Sequence, residues 1–75
     1  MMYGFTITKE DAMDYLGILR RTPGFIGLHD QRYPKTLAVF DESVTANTIM
    51  NIMKDNGINI LNHVAIYNNI SLYAR

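Results

Sequence analysis

The side chains of this sequence with the widest range of possible chemistry are its two histidines. His29 stands next to Asp30, and His63 lies in a distant segment. An imidazole beside a carboxylate can relay a proton, and two imidazoles with a carboxylate can bind zinc. Successive side chains of an extended segment point in opposite directions, so His29 and Asp30 are poorly arranged to act together. We therefore predict a solvated loop position for His29 and no metal site with His63.

The sequence also contains no pattern typical of a phosphate-binding site or of a catalytic nucleophile. Arg20 and Arg21 precede residues 22–24, but anion sites favour helix N-termini and these arginines are predicted at a helix C-terminus, where they match the dipole. Residues 24–27 lack both the lysine and serine of a phosphate loop and the third glycine of a dinucleotide fingerprint. No serine elbow, cysteine or paired carboxylates are present. The sequence predicts a protein that is not an enzyme and binds no cofactor.

Length, charge and cysteine content narrow the remaining classes of function. The 75 residues are expected to form one domain, residues 1–75. Seven Lys and Arg balance seven Asp and Glu, which argues against nucleic acid as a partner. A core of this size supplies only about 3–5 kcal/mol, and without cysteines a second copy is the expected supplement, as a homodimer. No apolar run or signal sequence points to a membrane, so we predict a cytoplasmic location.

The elements that must position these side chains follow from apolar spacing. The first half of the chain is predicted to begin with a strand over residues 3–8, followed by a helix that Thr8 caps and that ends before Pro23. A strand over residues 25–28, a polar loop over residues 29–35 and a strand over residues 36–40 are predicted to follow. The buried stripe of this helix is expected to consist of Ala12, Tyr15, Leu16 and Leu19.

The second half predicts another helix and a hairpin. Asp41, Glu42 and Ser43 are the candidate caps of this helix, which is expected to stop at residues 56–57. Its buried stripe is predicted to be Ala46, Ile49, Met50 and Met53. Apolar runs over residues 64–67 and 70–73 enclose Asn68-Asn69, a pair that suits a two-residue turn, so the chain is expected to close with a hairpin.

The order of these elements resembles the ferredoxin-like fold. That resemblance implies an α+β two-layer sandwich, β-α-β-β-α-β, with both helices on one face of an antiparallel sheet and the hairpin adding an extra C-terminal strand. Residues 21–30 and 36–41 are also similar to small uncharacterised proteins carried by phages and other mobile elements of low-GC bacteria. This second resemblance implies an accessory protein that modulates a host or defence protein by binding it.

Aromatic side chains are the surplus left for such binding. Tyrosine and arginine anchor protein interfaces, so we predict a non-enzymatic protein-protein interaction module that dimerises through its open sheet face or an edge strand. The residues assigned to this interface are Tyr3, Phe5, Tyr67 and Tyr73, with Arg32 and Tyr33 as a separate loop patch. Aromatic residues beside cations also stack on bases, so the alternative is a regulatory domain that binds a small ligand or single-stranded nucleic acid on the open sheet face.

Overall fold

The chain folds into four strands and three helices, one helix more than the apolar patterns predict. The computed structural model describes residues 1–75. The elements are β1 (Met2–Thr8), α1 (Lys9–Asp14), α2 (Leu16–Arg21), β2 (Phe25–Asp30), β3 (Lys35–Phe40), α3 (Ala46–Asp55) and β4 (Asn62–Ile66). The strands form one antiparallel sheet in the order β2-β3-β1-β4. The α+β sandwich with ferredoxin-like strand order is therefore confirmed. His29 and Asp30 complete β2 and do not begin the loop, because the β2–β3 pairing extends through them.

The core lies between the helices and one face of this sheet, which we call the helix face. Along β1, Phe5 and Ile7 are completely buried on this face, beside Ala38 and Thr36 of β3. The helices contribute the fully buried side chains of Ala12, Leu19, Ile49 and Met53. Phe40 packs edge-to-face against Phe5, with 5.7 Å between ring centroids. The predicted helix stripes are confirmed as the inner surface of the helical layer.

The first helical region is two short helices, not the single helix predicted. Tyr15 separates α1 from α2, with φ of −109° and ψ of 15°. Gly17 follows, and glycine costs about 1 kcal/mol relative to alanine inside a helix, so this stretch holds a continuous helix weakly. Thr8 caps α1 as predicted, since its hydroxyl accepts a hydrogen bond from the Asp11 backbone N–H at 3.0 Å. The region ends at Thr22, directly before Pro23.

The cap of α3 is Thr45, so the prediction of Asp41, Glu42 or Ser43 was wrong. The Thr45 hydroxyl accepts a hydrogen bond from the Thr48 backbone N–H at 3.3 Å. Val44, just before the cap, and Ile49, in the first turn, both pack into the core and fix the entry of the chain into the helix. Asp41 serves an earlier turn, where its carboxylate accepts a hydrogen bond from the Ser43 backbone N–H at 2.9 Å. The helix ends before Asn56-Gly57, as predicted.

The turn at Asp41 gives a pH-dependent prediction. Hydrogen bonds from the Ser43 hydroxyl and from its backbone N–H lower the pKa of the Asp41 carboxyl below 3.8. A carboxyl with a lowered folded-state pKa stabilises the fold above its unfolded pKa, and that contribution is lost as the pH falls through the folded value. We therefore expect Asp41→Asn to lower the Tm slightly at neutral pH, and the difference from wild type to disappear as the pH falls through the lowered folded-state pKa of Asp41.

Thermal unfolding followed by circular dichroism over this pH range measures the effect. Asp14→Asn is the control, because it removes one negative charge from another exposed position. If the Tm difference between Asp41→Asn and wild type stays constant down to the lowest pH measured, the turn does not depend on the charge of Asp41.

The C-terminal hairpin prediction was wrong. The chain leaves β4 after Ile66 and does not turn back at Asn68-Asn69. Instead, Tyr73 pairs with Leu28 on the opposite edge of the sheet, where the two residues exchange backbone hydrogen bonds of 2.7 and 2.8 Å. Both edges offer a strand to pair with, and apolar spacing alone does not distinguish them. Residues 67–75, which we call the tail, therefore connect one edge of the sheet to the other.

The tail lies over the face of the sheet that the helices leave open, which we call the far face. Two β2 residues whose register places them on the far face touch the tail. The His29 ring nitrogen Nδ1 lies 2.8 Å from the Ser71 carbonyl oxygen, and a Cβ placed on Gly27 would come within 3.1 Å of Leu72. On the neighbouring strand, Leu37 is only 4% exposed and Val39 is completely buried. The part of the far face formed by β2 and β3 is thus covered within one copy of the chain, which corrects the expectation of an open sheet face as a dimer surface.

Neighbouring side chains approach Gly4 closely at the middle of that face. A Cβ at Gly4 would lie 2.8 Å from the Leu37 Cδ2 atom and 3.0 Å from the Ile66 Cδ1 atom, both inside ordinary contact distance. The side chains of β3 and β4 therefore close over β1 at this point. Together with the tail they leave no open apolar surface at the centre of the far face.

Candidate interaction surfaces

Two aromatic residues of β1 that were assigned to an interface lie in or against the core. Phe5 is completely buried on the helix face, between Phe40 and the His63 ring, which stacks on it at 5.0 Å with an interplanar angle of 10°. Tyr3 is half-buried and packs against the same cluster. The alternation of β1 identified these aromatic residues as sharing a face, but that face is the inner one. Phe5 is therefore unavailable to a partner, and the interface prediction is corrected at this residue.

Tyr73 is held within the fold by its hydroxyl and its backbone. The hydroxyl lies 3.1 Å from the Thr36 hydroxyl, and Thr36 donates a hydrogen bond to the His29 carbonyl oxygen at 3.1 Å. The ring packs against the core at the outer edge of β2. Tyr73 thus closes the β2 edge of the sheet rather than offering a surface to a partner.

Tyr67 is the member of the predicted sheet interface that does face solvent. Its side chain is 79% exposed, immediately after β4 ends at Ile66. Leu61, which immediately precedes β4, is 45% exposed. Large apolar side chains therefore project into solvent at both ends of this short strand. Leu61 was not predicted as a site residue, although it is an apolar residue that belongs to neither predicted helix stripe nor the predicted hairpin.

The outer edge of β4 is unpaired. β4 is an end strand of the sheet, and no backbone hydrogen bond reaches residues 62–66 from outside the sheet. The other end strand, β2, is bonded to Tyr73. An unpaired edge presents a row of N–H and C=O groups to which another strand can bond. The molecule thus has one edge bonded to the tail at Leu28 and one free edge, and we call the free one the β4 edge, meaning residues 61–67.

The loop patch of Arg32 and Tyr33 lies at one end of the sheet beside an open groove. Tyr33 is 82% exposed and Arg32 is also exposed. The groove has a volume of about 570 Å³ and is lined by Thr8, Lys9, Glu10, Met13, Tyr33 and Pro34. The Lys9 backbone N–H donates to the Pro34 carbonyl oxygen at 2.8 Å, which ties the loop to the start of α1. The structure therefore separates this patch from Tyr67, as the sequence suggested.

The two histidines lie on opposite edges of the sheet. His29 is in β2 and His63 is in β4, with β3 and β1 between them. His29 bonds to the tail and His63 stacks on Phe5. No three His, Asp or Glu side chains stand close enough together to hold a metal ion. Each imidazole is thus engaged with the fold at its own edge of the sheet.

Comparisons of the chain with protein-family models, with curated proteins and with solved structures give no match. None of the three helices has the length and apolar character that crossing a membrane requires. The exposed surfaces of the molecule are therefore what a function has to be inferred from, and the β4 edge is the surface that combines free backbone groups with exposed apolar side chains.

Proposed function

We propose that this protein is a non-enzymatic protein-protein interaction module that forms a homodimer through the β4 edge. The observation that carries the proposal is the unpaired strand flanked by Leu61 and Tyr67. Strand addition at such an edge gains main-chain hydrogen bonds, and exposed side chains next to it add specificity. A strand of a second copy of the chain and a strand of another protein bind to such an edge in the same way.

The β4 edge lacks the features that normally keep edge strands apart. Natural edge strands are protected by lysine, by proline or by a covering segment. Residues 62–66 contain neither lysine nor proline, and His63 is their only titratable residue. The covering segment that this chain possesses, the tail, protects β2 instead. The β4 edge is therefore left available for pairing.

The small size of the core supports association. Only 17 of the 75 residues are buried, and no disulfide strengthens the fold. Domains of this size bury only about 60% of the surface of the unfolded chain and commonly gain stability by oligomerising. A partner that binds only the folded chain shifts the folding equilibrium in its favour by mass action.

We also propose an accessory role for this protein. The similarity of residues 21–30 and 36–41 to proteins of phages and mobile elements supports a cytoplasmic protein that modulates a host or defence protein. Arg32 and Tyr33 are the residues we assign to that second contact, because their loop follows β2 at the end of the sheet opposite Tyr67. The tail lies over the β2 part of the face that a small ligand or single-stranded nucleic acid would occupy, which favours the protein contact.

The dimer is tested by sedimentation velocity over a range of concentrations. We expect a reversible dimer at tens of micromolar and a dissociation constant at least about tenfold higher for Tyr67→Ala, because exposed tyrosines at contacts are frequent binding hot spots. The unfolding free energy of the monomer should change little, since Tyr67 is 79% exposed.

Tyr33→Ala is the matched control, because it removes the same side chain from a position that is 82% exposed and distant in sequence from β4. It should leave the dissociation constant unchanged. A wild-type chain that stays monomeric at every concentration up to hundreds of micromolar would refute the homodimer.

A further inference from the structure

We infer that the occupant of the β4 edge is a second copy of this chain in one particular register: antiparallel, with the two-fold axis at Val64, so that Leu61 of each copy packs against Tyr67 of the other. This inference rests on the proposed function and names its partner and geometry. It brings together two of the large apolar side chains that the monomer leaves in solvent.

Symmetry limits the registers that two copies of β4 can adopt. A two-fold axis perpendicular to the sheet keeps the same face of both copies on the same side, so paired residues must share a face. Residues of one face alternate along the strand, so the axis must pass through a residue and not between two. Residues equally distant from that central residue are then paired across the interface.

Val64 is the centre that matches the exposed side chains. Leu61 and Tyr67 each lie three positions from Val64, on opposite sides. An antiparallel pair centred there and extended by one residue beyond each end of β4 places them opposite each other, and aromatic residues opposite aliphatic ones stabilise such pairs. The axis makes this contact occur twice. Leu61 is 45% exposed and Tyr67 is 79% exposed in the monomer, so both have surface left to bury.

The neighbouring positions also accept this register. Val64 meets its own copy, Asn62 meets Ile66, and His63 meets Ala65, so no two like charges face each other. The His63 ring is already stacked on Phe5 at 5.0 Å, and the small Ala65 side chain leaves that arrangement undisturbed. Moving the axis to His63 would place the two histidines opposite each other and would leave Tyr67 facing Asn59.

Mixing singly charged variants tests the register. In the proposed dimer, Leu61→Glu mixed with Tyr67→Lys gives one Glu–Lys pair and one intact Leu–Tyr pair. We expect the mixed dimer to form about tenfold more tightly than either variant with itself. Leu61→Glu mixed with Leu61→Lys places neither charge opposite the other, so this matched control should show no preference for the mixed dimer. Native mass spectrometry with one variant isotopically labelled counts the mixed and unmixed species.

The outcomes separate the register from the proposed function. A monomeric wild-type chain would refute both. A dimeric wild-type chain with equal behaviour of the two mixtures, or with a preference for Leu61→Glu and Leu61→Lys together, would refute the register and leave the homodimer standing. A preference for Leu61→Glu with Tyr67→Lys supports the register.

A disulfide readout keeps the test decisive if a charged variant folds poorly. The chain contains no cysteine, so Leu61→Cys and Tyr67→Cys introduce the only thiols. Under mild oxidation the equimolar mixture should form a covalent dimer that contains one chain of each kind. Predominant linkage of Leu61→Cys to itself would overturn the proposed register.

Discussion

Replacing Phe5 with alanine is expected to unfold most of the chain at room temperature. Phe5 is completely buried at the centre of the sheet, edge-to-face with Phe40 at 5.7 Å and stacked against His63 at 5.0 Å. Truncating a buried phenylalanine costs about 3–5 kcal/mol, through lost burial and the cavity left behind. A domain of this size has only about 3–5 kcal/mol to lose, so the variant should retain little folded population.

Urea unfolding followed by far-ultraviolet circular dichroism measures this loss. Tyr33→Ala provides the comparison, because it deletes an aromatic ring from a position that is 82% exposed and should shift the unfolding free energy by less than about 0.5 kcal/mol. The experiment also distinguishes a core role for Phe5 from an interface role. A folded, monomeric Phe5→Ala chain would contradict the burial of this side chain and return it to the interface.

Removing residues 70–75 should have an effect of similar size. The shortened chain loses the two backbone hydrogen bonds between Leu28 and Tyr73 and the contact between the hydroxyls of Tyr73 and Thr36. It also uncovers apolar surface on the far face, where Leu37 is now 4% exposed. Each net hydrogen bond is worth about 1 kcal/mol and each newly exposed aliphatic side chain about 1.5–3 kcal/mol, so we expect a loss of about 3 kcal/mol or more.

Binding of the dye ANS and urea unfolding report on this shortened chain. It should bind the dye and unfold at lower urea, and it should aggregate when concentrated, because a contiguous apolar face becomes exposed. Tyr73→Phe is the intermediate variant, since it keeps the ring and loses only the hydroxyl contact, for about 1 kcal/mol. A shortened chain that matches wild type in stability and binds no dye would show that the far face does not need the tail.

Much of the fold could be predicted from local patterns, because those patterns are set by neighbours in sequence. The hydroxyl of Thr8 and the proline at position 23 mark the ends of the first helical region, and Asn56-Gly57 marks the end of α3. The placement of both helices on one face of the sheet followed from the handedness of the crossovers. The position of the tail did not follow, because Tyr73 contacts a strand far away in sequence and local spacing is the same for both edges.

The sequence of β3 contained evidence that the far face is covered, although the alternation of β1 pointed to one open face. Residues 37–40 are apolar without interruption, and all of them are buried. A strand that reads as a continuous apolar run is typical of burial on both faces, whereas alternation is typical of one open face. β3 therefore indicated that something covers the second face, although not what covers it.

The sequence assigned six residues to interfaces, and the structure shows which of them are exposed. Tyr67, Arg32 and Tyr33 are exposed, and their role in a contact stays a prediction. Phe5 was misassigned because period-two spacing groups side chains on a face without telling which face the helices cover. Leu61 was missed because its importance comes from the free edge of β4, which only the three-dimensional strand order reveals.

The path of the tail has a consequence for how the chain is made. The contact between His29 and Ser71 spans 42 positions, and the pairing of Leu28 with Tyr73 spans more. During synthesis the apolar side chains of β3 emerge long before the segment that shields them. We therefore expect the nascent polypeptide to expose these apolar side chains before the tail is made. At that stage it should be most prone to aggregate and most dependent on chaperones.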